Sequence, residues 1–328
     1  INNYNVTFYI GDFYHFSGDY NGLALDYYVD QNRKKDAKKH FPEQVEKMMV
    51  AFEHYFGPYP FKEDGYKLCS APYWGMEHQS AIAYGHGFYN NEYGFDYILV
   101  HESGHEWWGN NVGAKDHADL WLHEAFCTYS EALYVEYYLG KEKAVEYLNM
   151  QKKKIINEKP MAGPYGVNYN DFAGADMYYK GTNMLHTFRM ILSNDDLWFS
   201  ILKGIQKQYA LQTVTSTEII NYINQRVGKD FSGFFKQYIN NAKAPTLEYV
   251  VEKQEKKKRV VIHYKYTFEL TDYQLPIRYS IAKDSYIWLQ PKSTWKQLKL
   301  SEEEFKTFEF DTENFMVYFD EKQLLNKK

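Results

Sequence analysis

Two histidines and two glutamates in one stretch of this chain have the types and spacing of a hydrolytic metal centre. His101 and His105 stand four apart in His101-Glu102-Ser103-Gly104-His105. On an α-helix their imidazoles share one face and can converge on one ion, while Glu102, one position round, reaches over it. A third ligand has to come from elsewhere. Eighteen residues separate His105 from Glu124, enough to end one helix, turn, and start an antiparallel second that brings a carboxylate back over the imidazoles. Two neutral nitrogens and one carboxylate make the open three-ligand set of a catalytic Zn²⁺, with the fourth position left for water. The expectation is one Zn²⁺ per chain, held by His101, His105 and Glu124, with Glu102 as general base.

Chance placement on two amphipathic helices is the competing reading. Against it, Gly109-Asn110 can end the first helix, and Asp116 or Asp119 can begin the next. Glu124 then falls in the first two turns of an apolar helix, Leu120 to about Tyr138, where an unpaired carboxylate is costly to bury. Cys127 lies on the same face as Glu124 but is read as a buried structural thiol, because the ligand set is already complete. His123, rotated by about 100° from Glu124, is not expected to ligate the metal. Asp119 and Glu131 are candidates to orient the imidazoles from behind.

These residues carry a resemblance. The segment His101 to Glu131 is similar to the aminopeptidase N family of zinc metallopeptidases (gluzincins), in which H-E-x-x-H, eighteen residues and Glu lead into an aromatic-rich helix. Upstream, Trp74-Gly75-Met76-Glu77-His78 resembles the family's G-x-M-E-N exopeptidase motif, and downstream Tyr178-Tyr179-Lys180-Gly181 resembles its Y-x-K-G motif. The resemblance implies that Tyr178 donates to the tetrahedral oxyanion, and that Glu77, with Gly75 and Met76 beside it, pairs with the free α-amine of a peptide. Two positions depart from the pattern, Trp74 where the family usually has Gly and His78 where it usually has Asn. Trp74 is expected to crowd the cleft.

The elements that must position these residues read in order along the chain. Asn5 to Ile10 alternates like a strand end. After it come a basic cluster, Arg33 to Lys39, and an amphipathic helix, Pro42 to Phe56, broken at Gly57-Pro58. Tyr66 to Ala71 reads as a strand, and from Phe95 to about Leu211 the pattern is mostly helical, interrupted at Gly163 to Gly166, with two more helices before Pro245. Beyond Pro245 apolar residues alternate with polar ones, as in Val260, Ile262, Tyr264, Tyr266 and Phe268, and again over Ile277 to Ile281, Tyr286 to Leu289 and Phe308 to Phe319. The charge run Glu252 to Arg259 is read as a hairpin tip.

The fold class expected is therefore α+β. The resemblance makes 12–246 a thermolysin-like, mainly helical catalytic domain with a small sheet, 247–328 a small all-β sandwich, and 1–11 the end of a preceding β domain.

Composition excludes little. With 328 residues, 45% of them hydrophobic, the chain can bury a large core, and a net charge of −5 carries no nucleic-acid footprint. No apolar run approaches the ~18–20 residues of a membrane span. Cys69 and Cys127 make no disulfide framework, so compartment and oligomeric state stay open. Peptides are the expected substrates. Two alternatives to an aminopeptidase remain at this level: an endopeptidase or non-peptide hydrolase using the same centre, and a catalytically silent binding relative. Intact Glu102 and Tyr178 weigh against the latter.

Overall fold

The structure, a computed structural model, describes residues 1–169, 175–267, 274–283 and 285–323. Phe268 and the chain end at Lys328, both assigned to the last domain, lie outside the described residues.

The first sheet is built early. Strands β1 (Phe13–Tyr20) and β2 (Leu23–Asp30) form a hairpin, and Asn21-Gly22 turns between them with φ of 51° and 79°, the Asn-Gly pair that a two-residue turn with both φ positive favours. Helix α1 (Lys34–Phe56) follows. It starts eight residues before the Pro42 start expected from its apolar spacing, so the basic cluster is its solvated first two turns. Pro42 sits on the exposed face, where the carbonyl it leaves unbonded can meet water. Then come β3 (Tyr66–Ser70), β4 (Gly75–Met76) and β5 (Ile82–Tyr84), giving the order β1-β2-β3-β5-β4.

Most of the helices come next, and the first of them packs against this sheet. Helix α2 (Tyr97–Gly104) is followed by the short strand β6 (Val112–Ala114), α3 (Trp121–Leu139) and α4 (Lys141–Lys152). Next are α5 (Asp176–Leu192), α6 (Asp195–Gln208), β7 (Gln212–Val214), α7 (Ser216–Val227) and α8 (Ser232–Ile239). Every residue of α3 from Trp121 to Val135 is buried, so this helix is the axis of the molecule rather than an amphipathic surface element. Among the described residues no helix is long and apolar enough to cross a membrane.

The remaining chain is mostly strand. Four strands, β8 (Thr246–Gln254), β9 (Arg259–Thr267), β12 (Lys296–Ser301) and β14 (Tyr318–Glu321), pair in the order β12-β9-β8-β14. Strands β10 (Ile277–Ala282), β11 (Ser285–Leu289) and β13 (Glu309–Phe310) form a second sheet, with the short helix α9 (Glu302–Lys306) between β12 and β13. Phe310 links the sheets, its ring centroid 5.2 Å from that of Tyr249 and 5.1 Å from that of Phe319.

Two strand expectations fail. Phe308 to Phe319 is not one strand, because Phe315, Met316 and Val317 are all buried in succession. They leave the sheet to meet the helices, where the Met316 N–H donates to Thr187 Oγ1 at 2.7 Å. Asn5 to Ile10 joins no ladder. Asn3–Asn5 forms a 3₁₀ turn with Asn5 buried, and Val6, Phe8 and Ile10 are exposed.

Helices α3 and α5 approach closely. A Cβ on Gly181 would lie 2.5 Å from Cβ of Ala125, so only glycine lets α5 lie on α3 at this level. Lys180 anchors the same turn by donating to the carbonyls of Asn241 and Ala242 at 3.2 and 2.7 Å. Gly181→Ala is expected to push α5 outward and cost about 1–3 kcal/mol of stability, as overpacked core sites do. Urea denaturation of the two proteins, with equal m-values, checks it.

Candidate active site

The helix carrying the first histidines is held at its start by Asp96. This carboxylate is fully buried and caps α2 by accepting from Leu99 N at 3.2 Å. It also accepts from Tyr84 Oη at 2.5 Å and pairs with His40 and His86 at 2.7 and 2.9 Å. Burial alone would push its pKa up, but these bonds, led by that from His40, hold it below the usual carboxylate value. A negative charge at a helix N-terminus opposes the positive end of the dipole.

The helix ends at Gly104, earlier than the Gly109-Asn110 stop expected, yet His105 keeps helical φ and ψ of −65° and −17°. The four-residue relation of His101 to His105 therefore survives. Gly104 is where α2 touches α3: a Cβ there would meet Cys127 Sγ at 2.8 Å. The thiol of Cys127 donates to the His101 carbonyl at 2.6 Å, and burial pushes its pKa up. Its sulfur lies within 4.8 Å of both imidazoles, but a neutral thiol committed to a carbonyl is a poor ligand, in line with the structural role expected.

Asp116 caps the 3₁₀ turn His117–Asp119 that leads into α3. Glu124 comes back over the imidazoles from the first turn of α3. Its Oε2 lies 3.5 Å from Nε2 of His101 and 3.5 Å from Nε2 of His105, is buried, and has no hydrogen-bond partner among the described residues. Atoms bound tetrahedrally at about 2.0–2.2 Å from one centre stand roughly 3.3–3.6 Å apart. The carboxylate oxygen thus stands at zinc-ligand separation from each of the two nitrogens, and a buried carboxylate oxygen without a partner is stabilised by a cation. Burial would push the Glu124 pKa up, but His105 and His101 hold it well below the usual range.

Both imidazoles are aimed from behind. His101 Nδ1 lies 2.6 Å from Glu131 Oε1, and His105 Nδ1 lies 2.9 Å from the Trp108 carbonyl. A carbonyl can only accept, so His105 keeps a proton on Nδ1, and it is Nε2 that turns inward toward Glu124, free to bind a metal once deprotonated. Glu131 is fixed in turn by Tyr147 and by Gln151 Nε2 at 3.0 Å. Asp119 is not an imidazole partner: it accepts from Ser216 N at 3.0 Å, from the Ser216 hydroxyl, and from Tyr165 Oη at 2.6 Å. It braces α7 against the start of α3.

Glu102 and Glu77 face the same pocket. Their carboxylates and an imidazole nitrogen of His105 lie within 4.8 Å of one another. Burial, partly offset by His101 and reinforced by Glu77, pushes the Glu102 pKa up, the direction that suits a group taking and returning a proton. Gly75 makes the approach possible, since a Cβ there would stand 2.6 Å from Glu102 Oε1. Met76 is half-buried beside it, paired with Ala83 of β5. Tyr178 stacks on His101 with centroids 6.0 Å apart. Burial, then the Glu124 charge, raises its pKa, so the phenol stays a donor. Tyr179 turns away and meets the Lys154 ammonium, 5.3 Å from its ring centroid.

Trp74 does not plug the pocket. It is 67% exposed and rims an open groove of about 420 Å³ with His86, Tyr97 and Tyr179, and the Tyr97 ring lies 5.6 Å from that of His101. His78 is held by Tyr9 Oη, 2.8 Å from Nδ1. Sequence reasoning missed two residues here. Asp96 was detectable as an N-cap just ahead of Tyr97-Ile98-Leu99. Tyr4 had no local signal: its hydroxyl stands 3.0 Å from Glu77 Oε1 and 3.0 Å from His123 Nδ1.

Residues 41–238 match the Peptidase family M1 domain. Among similar proteins, mouse aminopeptidase B is 21% identical over 202 residues, 57% of this chain and 31% of that one. Aminopeptidase N of Lactococcus lactis subsp. lactis is 24% identical over 161 residues, 46% and 19% of the two chains. This chain thus spans a third or less of the length of these relatives. Among solved structures, aminopeptidase A of Legionella pneumophila in complex with aspartic acid superposes with a TM-score of 0.68 at 15% identity, over 89% of this chain and 36% of that one. A mutant M1 zinc metallopeptidase from Deinococcus radiodurans, bound to a Tyr-Ser-Ala substrate, gives 0.57 at 18% identity over 71% and 53%. With the family domain covering more than half its length, the chain belongs to peptidase family M1, the zinc metallopeptidases, and zinc is its cofactor.

Proposed function

We propose that this chain removes N-terminal residues from peptides, with zinc held by His101, His105 and Glu124. The observation that carries the reading is the orphaned Glu124 Oε2, equidistant at 3.5 Å from two imidazole nitrogens whose other faces are already committed. In the same reading 12–246 is the thermolysin-like catalytic domain and 247–328 a small β-sandwich domain, although one continuous apolar core joins them.

When bound, zinc polarises the scissile carbonyl and lowers the pKa of water toward ~7, making it a nucleophile at neutral pH. The side chains do the rest. Glu102 accepts a proton from the attacking water and returns it to the nitrogen of the departing amine. The Tyr178 phenol donates to the oxyanion as the carbonyl carbon becomes tetrahedral, a bond stronger in the transition state than in the ground state. Glu77 pairs with the substrate ammonium, so cleavage falls one residue from the chain end. Met76 and Gly75 form the backbone edge along which that residue lies.

The aminopeptidase reading is tested with matched peptides, free or N-acetylated. Free peptides should be shortened one residue at a time and acetylated ones spared; equal cleavage of both would leave the endopeptidase alternative standing. For the metal, Glu124→Ala should lose zinc on elemental analysis. Glu102→Gln should retain it while kcat falls by about 10²–10⁴-fold, and near-native turnover in that variant would remove Glu102 from its role. For the oxyanion, Tyr178→Phe should lower kcat by roughly 10²–10³-fold with KM little changed. Tyr179→Phe should stay within about twofold, and equal losses would mean that the two tyrosines have been confused.

A further inference from the structure

We infer that Tyr4 and His123 are positioning residues that fix and aim the amine-anchoring carboxylate of Glu77. The inference rests on the proposed role of Glu77. It concerns a chain of hydrogen bonds that joins three segments far apart in sequence.

The chain has a direction. The amide N–H of Ala114 donates to His123 Nε2 at 2.6 Å. An amide can only donate, so Nε2 is the bare nitrogen and the ring proton sits on Nδ1. His123 Nδ1 lies 3.0 Å from Tyr4 Oη and therefore donates to it. The single proton of the phenol is then left for Glu77 Oε1, also at 3.0 Å. Every donor from β6 onward points toward the carboxylate.

The setting makes this more than a surface contact. His123 is fully buried, and Glu77 is 7% exposed. A buried carboxylate holds one orientation only when donors face it. Tyr4 is itself fixed: its ring meets His117 edge to face with centroids 5.9 Å apart. The next residue ties the turn down on both sides of Glu77, since Asn5 O accepts from Gln79 N at 3.1 Å and Asn5 Nδ2 donates to Asn110 Oδ1 at 2.6 Å. Asn110 Nδ2 donates in turn to the Glu77 carbonyl at 3.0 Å. With Oε1 held by the phenol, the second carboxylate oxygen is left to meet the substrate ammonium. The phenol acts on amine recognition through Glu77.

The test measures binding as well as turnover. Calorimetry on the zinc-loaded chain, carrying Glu102→Gln throughout so that nothing is turned over, would compare leucinamide with 4-methylpentanamide, which lacks the α-amine; in these binding measurements wild type means this background. Wild type should prefer the amine. Tyr4→Phe should reduce that preference about tenfold, as expected for losing a hydrogen bond to a charged group, with zinc content unchanged and 4-methylpentanamide bound as before. In a Glu77→Gln background Tyr4→Phe should change the ratio less than about twofold, because the link is already cut. In turnover, with Glu102 intact, the same loss should appear in KM rather than kcat. His123→Gln, with zinc content as control, is the second arm if Tyr4→Phe does not fold, and should move the ratio in the same direction. Retention of amine preference in a folded Tyr4→Phe, or an equal loss with and without Glu77, would overturn the inference while leaving Glu77 as the anchor. Absence of any amine preference in wild type would overturn the anchor role, and the inference with it.

Discussion

A buried carboxylate oxygen with no partner, set between two imidazole nitrogens, is the constraint on which the rest of this structure depends. Glu124 Oε2 stands 3.5 Å from both Nε2 atoms, too far for a good hydrogen bond and at the spacing of ligands around a common ion. Leaving such a group unpaired costs several kcal/mol at least in a buried site. The pocket is therefore built to hold positive charge. What lies behind the imidazoles follows from that demand, because Glu131 and the Trp108 carbonyl bind the outer nitrogens and turn the inner ones toward Glu124.

Holding three side chains to that spacing requires helices that cannot slide. Helix α2 is short, only eight residues, and an isolated helix of that length has no stability of its own. Asp96 fixes one end, and the contact of Gly104 with Cys127 fixes the other against α3. Helix α5 reaches the pocket because Gly181 lies on Ala125, one residue from Glu124, and this places Tyr178 over His101. The Y-x-K-G pattern is thus half chemistry and half packing: the tyrosine faces the site, while the lysine and glycine seat its helix.

The substrate side is organised differently. Strand β4 is two residues long and among the described residues pairs only with β5, so its own ladder does little to fix Glu77. Its support comes from the turn at Asn3–Asn5, through Tyr4, Asn5 and Asn110. Gly75 completes the arrangement by letting β4 lie against Glu102. The proton-moving and amine-facing carboxylates are so brought into one pocket from separate segments.

The metal-facing residues were legible in the sequence because their geometry is local or nearly so. A four-residue spacing is a property of any α-helix, and the return of Glu124 needed only a turn and an antiparallel helix. Glu131 was legible for the same reason, seven residues on from Glu124 along one face. The helical middle and the alternating strands of the last third were read from periodicity, which burial imposes on neighbours along the chain. Tertiary structure alone decided the rest. Asp119 carries the right charge near the site, yet Ser216 and Tyr165 claim it. Phe308 to Phe319 has the composition of a strand, but three consecutive residues are drawn into the helical core. Asn5 to Ile10 alternates as strands do and joins no ladder among the described residues, while Tyr4 beside it meets Glu77, 73 positions away. Periodicity records which face of an element is buried; it carries no record of which distant side chain that face will meet.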